Sequence, residues 1–121
     1  MQIKKIEVFK NLEEQQLMYG IVFIPDVIDA HGDTISPSQV QMSAHNYLIN
    51  QRIIGIQHKD EAPANVVESY IAPVDFIYGE KIIKQGSWIV VLKVNDSLLW
   101  EKIKAGEYTG LSAGGYAKRV E

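Results

Sequence analysis

The sequence contains no cysteine, and this absence excludes several kinds of site. A disulfide scaffold, a thiolate zinc site, an iron–sulfur cluster and a cysteine nucleophile all require thiols. Charge of either sign is modest, with 12 basic and 15 acidic residues and a net charge of −3, which argues against a nucleic-acid-binding function. No apolar run approaches the length of about 18 residues that a membrane span needs. We therefore expect neither nucleic acid nor a membrane as a partner.

The chain has 121 residues, of which 46% are hydrophobic, and this is enough for one domain with its own core. Repeats, low-complexity segments and Pro/Gly/Ser-rich linkers are all lacking, so we treat residues 1–121 as a single domain. The first residues, MQIKKIEVFKNLEE, lack the apolar block of a signal peptide. A soluble, cytoplasmic protein is the expectation.

Short β-branched and apolar runs predict a strand-rich domain. The first two runs are close enough to pair as a hairpin, with a turn at residues 11–14, and a charged loop is expected at residues 59–63. The predicted strands are Ile3–Phe9, Leu17–Ile24, Ile53–His58, Val66–Ile71, Lys81–Lys84 and Trp88–Val94. Together with helices they predict an α+β fold, with a small curled sheet or a β-barrel.

Two short helices are expected beside the sheet. Ser36 followed by Pro37 is a helix start signal, and Val40, Ala44 and Tyr47 then recur at helical spacing. This predicts an amphipathic helix over residues 37–49. A second helix is expected after Asp96, covering residues 98–103 and ending at Gly106. The large aromatic residues are expected to be core anchors: Tyr47, Phe76, Trp88 and Trp100.

Residues 110–114 match G-x-S-x-G, a pattern that can present a serine nucleophile. An α/β-hydrolase is excluded, because that fold places its histidine after the serine and only seven residues follow Gly114. A base for Ser112 must therefore lie upstream. His58 is the preferred candidate because it ends an apolar run before a charged loop. His45 lies in the predicted helix, where a packed or surface role is more usual.

Two groups of acidic residues offer alternatives. Asp26, Asp29, His31 and Asp33 could hold a hard cation, but their spacing does not fit the calcium-binding loop, and aspartate and glycine are common turn residues. We therefore predict no metal and no cofactor. Glu68, ten residues after His58, could orient an imidazole or simply face solvent from a strand.

In series, several segments resemble the XkdF-like phage serine proteases. The resemblance covers roughly residues 17–117, and its strength lies in the order and spacing of the segments. They are Tyr19–Asp33, Ser43–Leu48, His58, Val66–Ile71, Gly86–Val90 and Trp100–Gly115.

That family is similar to the prohead proteases of tailed phages and, more distantly, to herpesvirus assemblin. The resemblance implies a β-barrel-like fold flanked by helices, with Ser112 as nucleophile and His58 as base. Backbone N–H groups at Ala113 and Gly114 are expected to hold the oxyanion. It further implies a serine endopeptidase that cuts phage scaffold and capsid proteins in the bacterial cytoplasm or the prohead.

The chain departs from the family pattern near its end. Ala113 stands where relatives often have a larger aliphatic residue, and nine residues follow Ser112, whereas the third catalytic residue of relatives generally lies further downstream. Glu68 is therefore the predicted substitute. Two alternatives stay open: a catalytically inactive structural module of head assembly with the same fold, and a metal-dependent hydrolase built on the aspartate-rich loop. Exposed strand edges would also make a homodimer plausible.

Overall fold

The computed structural model describes residues 4–12, 15–28, 32–52, 54–56, 60–105 and 111–113. Over these residues the fold is α+β with two helices, as expected from the sequence. The helices are α1 (Pro37–Asn50) and α2 (Ser97–Lys104). The strands are β1 (Lys4–Lys5), β2 (Glu7–Leu12), β3 (Leu17–Phe23), β4 (Ile54–Ile56), β5 (Asp60–Glu61), β6 (Ala64–Ile71), β7 (Phe76–Tyr78), β8 (Lys81–Ile83), β9 (Trp88–Val94) and β10 (Leu111–Ala113).

The strands form two four-stranded sheets and one two-stranded hairpin, and every pair is antiparallel. The first sheet has the order β1-β10-β4-β5, the second sheet has the order β2-β3-β9-β6, and β7 pairs with β8. Both four-stranded sheets are open along the described part of the chain. The described strands form no closed barrel. Of the two predicted alternatives, a small sheet and a barrel, the sheet is confirmed.

The two sheets are joined at two corners by very short connections. Ile6 alone separates β1 from β2, and residues 62–63 separate β5 from β6. Ile6 is buried at its corner and packs over Gly20 of β3, where an added Cβ atom would overlap Ile6 Cγ2. The absence of a side chain at Gly20 is thus what allows the chain to turn from one sheet into the other.

Strand β9 forms the centre of the second sheet and is buried on both of its faces. Its alternate residues Trp88, Val90 and Leu92 belong to the larger core cluster, whereas Ile89 belongs to a smaller cluster beneath the β7–β8 hairpin. A run buried on both faces is apolar at nearly every position, as residues 88–94 are. The sequence prediction for this strand is confirmed in full.

The larger core cluster connects both sheets to both helices. Tyr47 of α1, Trp100 of α2 and Ile54 of β4 all contribute to it. At its centre the rings of Tyr47 and Trp88 are 5.5 Å apart, and the Trp88 indole N–H donates to Ser69 Oγ at 2.9 Å. Of the expected anchors, Tyr47, Trp88 and Trp100 are buried, and Phe76 packs partly buried against the smaller cluster.

Both helices begin at the caps that the sequence indicates. Gln39 N–H donates to Ser36 Oγ at 3.2 Å, and Ser36 N–H donates to Gln39 Oε1 at 3.0 Å, which is a complete capping box. At α2, Leu99 N–H donates to Asp96 Oδ2 at 2.7 Å. Neither of these two described helices has the length and apolar character needed to cross a membrane.

Several local predictions need correction. The first predicted strand is divided at Ile6, and β2 continues to Leu12, so part of the expected turn at residues 11–14 is strand. The expected loop at residues 59–63 contains the short strand β5. Strands β7 and β10 were not predicted. Gly106, the expected end of α2, lies outside the described residues, and the helix ends at Lys104 with Ala105 as its cap.

Candidate active site

Ser112 lies in the middle of the first sheet. Strand β10 has a partner on each side, and Ser112 is opposite Lys5 of β1 and opposite Gly55 of β4. The central part of the G-x-S-x-G sequence is therefore an extended strand rather than the sharp strand-to-helix turn for which that pattern is known. Ser112 is held in position by neighbours on both sides.

The position of Ala113 bears on the expected oxyanion site. Ala113 is opposite Lys4 on one side and Ile54 on the other. In an antiparallel sheet the backbone N–H groups lie in the plane of the sheet and point towards a neighbouring strand. The register therefore describes the strand pairing of Ala113 and does not test its N–H as an oxyanion donor. Gly114 lies outside the described residues, and the oxyanion assignment stays a prediction.

His58 also lies outside the described residues, but the strands on both sides of it in the sequence are described. Strand β4 ends at Ile56, which is opposite Leu111, and β5 begins at Asp60, which is opposite Ile56. The segment that contains His58 therefore connects two strands of the same sheet that holds Ser112. The pairing of Ser112 with His58 itself stays a prediction.

Glu68 lies on β6 in the second sheet and is exposed. It is opposite Val91, and Tyr70, two residues further along, is opposite Ile89 of the smaller core cluster. Burial raises the pKa of Tyr70, and the negative charges of Glu68 and Tyr19 raise it further. Glu68 therefore shares a face with these tyrosines, away from the larger cluster that Ile54 of β4 joins. The assignment of Glu68 as the residue that orients His58 stays a prediction, since His58 lies outside the described residues.

The remaining candidate residues lie on helix α1 and in the loop between β3 and α1. His45 is exposed on α1, in agreement with its expected surface role. In the aspartate-rich loop, Asp29 and His31 lie outside the described residues, whereas Asp26 and Asp33 are described and exposed. Among the described residues there is no group of three or more acidic or histidine side chains that could hold a metal ion.

The register of the first sheet aligns Ser112 with residues that the sequence analysis did not single out. Lys5, Ser112, Gly55 and Glu61 are successive cross-strand partners and form a single row across β1, β10, β4 and β5. Lys5 is near one end of the described chain and Ser112 is near the other, so no local pattern could have connected them. Hydrophobic periodicity also says little about β1 and β5, which have two residues each.

Comparison with known proteins gives the family. The sequence pattern of a family described as "Putative phage serine protease XkdF" matches residues 5–121. The chain belongs to this family. It is 47% identical over 121 residues to the phage-like element PBSX protein XkdF of Bacillus subtilis, covering 98% of this chain and 44% of that protein.

A second relative supports the same assignment. The chain is 44% identical over 113 residues to the uncharacterized protein YqbD of Bacillus subtilis, covering 93% of this chain and 35% of that protein. The chain thus spans less than half the length of these two curated relatives. No solved structure matches it significantly. The resemblance predicted from the sequence segments is confirmed at the level of the family.

Proposed function

We propose that this domain is a serine endopeptidase of phage head maturation, with Ser112 as nucleophile and His58 as general base. Its substrates in this proposal are scaffold and capsid proteins of the immature head. The family description supports serine protease chemistry and a phage context. The observation that carries the residue assignment is the pairing of β10 with β4 in the first sheet.

The partner of Ser112 on the β4 side is a glycine. The residue opposite Ser112 on that strand is Gly55, which has no side chain. The next pair is Ala113 with Ile54, and Ile54 is buried in the larger core cluster. Since successive residues of a strand belong to opposite faces, the Ser112–Gly55 pair belongs to the face away from this core.

His58 is close in sequence to the strand that pairs with β10. His58 follows Ile56 by two residues, and two residues extend at most about 7 Å. Ile56 is opposite Leu111, the residue before Ser112. A neutral imidazole can accept a proton from a serine hydroxyl, and the proposal assigns this role to His58.

The proposed reaction is acyl transfer. His58 takes the proton from Ser112 Oγ as that oxygen bonds to the carbonyl carbon of the scissile peptide. The tetrahedral intermediate then loses its amine, which receives the proton from His58, and an ester to Ser112 remains. Water, deprotonated by His58, attacks the ester and releases the acid, which restores the free serine.

The direct test is intact-mass analysis after treatment with a fluorophosphonate, which bonds only to an activated serine. We expect a single adduct on the unmodified chain and none on Ser112→Ala. His58→Ala should label at least about 1,000-fold more slowly, because members of such a catalytic set act as a unit. His45→Ala is the matched control and should label normally, since His45 is exposed on α1.

Two results would contradict the proposal. Folded, unmodified protein that forms no adduct would favour the inactive structural module of head assembly, which has no reason to activate Ser112. Loss of labelling in His45→Ala but not in His58→Ala would overturn the assignment of the base.

A further inference from the structure

The β7–β8 hairpin presents a pair of large apolar side chains to solvent. Ile83 is buried and its partner Phe76 packs against the smaller core cluster, so one face of the hairpin covers that cluster. Ile77 and Ile82 are the next cross-strand pair, on the opposite face, and their side chains are 71% and 68% exposed. A contiguous apolar patch, unlike a scattered single side chain, points to an interaction surface.

Strand β8 also has an open backbone edge. Among the described strands it pairs with β7 alone, so its second side has no strand partner there. A two-residue loop joins Tyr78 to Lys81, which are cross-strand partners. In such hairpins the two residues that flank the loop are hydrogen-bonded to each other, and the next pair along is not. The N–H and C=O of Ile82 therefore point away from β7, towards the open edge.

Opposite charges lie on the two sides of Ile82. Glu80 precedes it by two positions and Lys84 follows it by two. Both charged side chains are exposed, and neither forms an ion pair with a described residue. In an antiparallel pairing of two β8 strands centred on Ile82, Glu80 of each copy is opposite Lys84 of the other. The edge of β8 is thus complementary in charge to a second copy of itself.

The edge of β7 does not have this property. In a pairing of two β7 strands centred on Ile77, Asp75 of one copy would be opposite Gly79 of the other. Such a pairing joins no opposite charges. Charge complementarity therefore favours β8 as the edge that meets a second copy.

We propose that two copies of this chain associate by antiparallel pairing of their β8 edges, with Ile82 at the two-fold axis. The two hairpins then form one four-stranded sheet in which the β8 strands are central. Ile82 exchanges both backbone hydrogen bonds with its counterpart, and the contact between Glu80 and Lys84 occurs twice because the axis repeats it. An edge this short buries less area than a permanent dimer needs, so association depends on protein concentration.

Charge reversal tests the register. We measure the dimerisation constant by sedimentation velocity over a series of protein concentrations. Glu80→Lys opposes two lysines at both symmetric contacts, and Lys84→Glu opposes two glutamates. Each single variant should dimerise at least about 10-fold more weakly, because directly opposed like charges are destabilising and opposite charges are stabilising. The double variant Glu80→Lys/Lys84→Glu restores opposite charges and should recover the unmodified constant.

A matched control separates the contact from the change in net charge. Lys102 is exposed on α2, which packs on the larger core cluster rather than on the hairpin. Lys102→Glu makes the same change in charge as Lys84→Glu and should dimerise like the unmodified chain.

Mixing the two single variants is the most specific test. In a mixed dimer, the Glu80→Lys chain carries lysine at positions 80 and 84, and the Lys84→Glu chain carries glutamate at both. Every contact across the axis then joins opposite charges. The mixture should therefore dimerise more tightly than either variant alone.

Two results would overturn the inference. One is an unmodified chain that stays monomeric at concentrations up to about 1 mM, where even weak association is detectable. The other is a dimer that neither single reversal weakens and that mixing does not restore, since it would use another surface. The inference goes beyond the proposed function, and neither result bears on Ser112.

Discussion

At the scale of single residues, two glutamates differ in their position in the sheets relative to Ser112. Glu68 is exposed on the second sheet, near Tyr70. Glu61 is the cross-strand partner of Gly55, which is itself the partner of Ser112. Glu61 also follows His58 by three residues. Glu61 thus shares a row of backbone partners with Ser112, whereas Glu68 belongs to the other sheet, and we predict that Glu61 rather than Glu68 orients the imidazole in the proposed function.

This comparison gives a prediction with a built-in control. Glu61→Gln should slow fluorophosphonate labelling by at least about 100-fold, because an amide neither fixes the imidazole tautomer nor stabilises the imidazolium ion. Glu68→Gln is the matched change and should leave the rate unaltered, while it lowers the pKa of Tyr70, measured by ultraviolet titration. Slow labelling of Glu68→Gln with normal labelling of Glu61→Gln would restore Glu68 as the orienting residue.

Tyr47 provides a prediction about pH and stability. Its phenol is buried in the larger core cluster, and burial raises its pKa well above the ordinary value of about 10. Above pH ~10 the unfolded chain loses this proton while the folded chain keeps it. The folded state then binds more protons than the unfolded state, so the free energy of unfolding must fall as pH rises.

Urea unfolding at a series of alkaline pH values measures this effect. We expect Tyr47→Phe to show a shallower fall in unfolding free energy above pH ~10, by up to about 1.4 kcal/mol per pH unit. The slope is the readout, since loss of the hydroxyl also alters stability at neutral pH. Identical slopes for Tyr47→Phe and the unmodified chain would show that Tyr47 does not titrate on unfolding.

Individual site residues differ in how far the sequence can identify them. Ser112 is marked by a local pattern of glycines. Its pairing with Lys5 has no such mark, because it joins strands that are distant in the sequence. Glu68 was selected for its spacing from His58, and spacing alone could not indicate which sheet and which face it would occupy.

At the scale of elements, the corner between β1 and β2 depends on Gly20. Because an added Cβ atom at this position would overlap Ile6 Cγ2, Gly20→Ala should destabilise the domain by roughly 1–3 kcal/mol, as overpacking usually does. The change should also displace β1, the partner of β10, and so slow labelling of Ser112. Urea unfolding and labelling rates measure the two effects.

A double-mutant cycle shows whether the effect arises at this contact. Ile6→Ala alone removes a buried side chain and should cost about 2–5 kcal/mol. Combined with Gly20→Ala it also removes the overlap, so the double variant should be less destabilised than the sum of the two single variants. Strict additivity would place the strain of Gly20→Ala elsewhere.

The elements that the sequence predicts well are those with strong local signals. Strand β9 is a continuous apolar run, and α1 combines a cap, a proline and helical periodicity. The missed elements are short: β5 has two residues, and β7 and β10 have three each. Strands of this length have too few positions to show alternation, and their partners in the sheet are what stabilise them.

At the scale of the whole molecule, composition and patterning predict the α+β class but not the arrangement of its sheets. The division into two four-stranded sheets follows from the corner at Ile6 and the short connection at residues 62–63. Neither carries a distinctive sequence signal. The corner at Ile6 depends on packing against Gly20, which belongs to a different strand, so it could not be read from the segment that forms it.

The pairing of β1 with β10 has a consequence for the timing of activity. These strands come from opposite ends of the described chain, so the first sheet cannot be completed until residues 111–113 have left the ribosome. Contacts between such distant segments form slowly, because a long loop must be closed before they contribute stability. Under the proposed function, the strand that carries Ser112 is therefore the last described part of the first sheet to be added. A serine protease assembled in this order would have no complete nucleophile-bearing sheet during its own synthesis, so the proposal predicts that the nascent chain is not cleaved before translation of the domain ends.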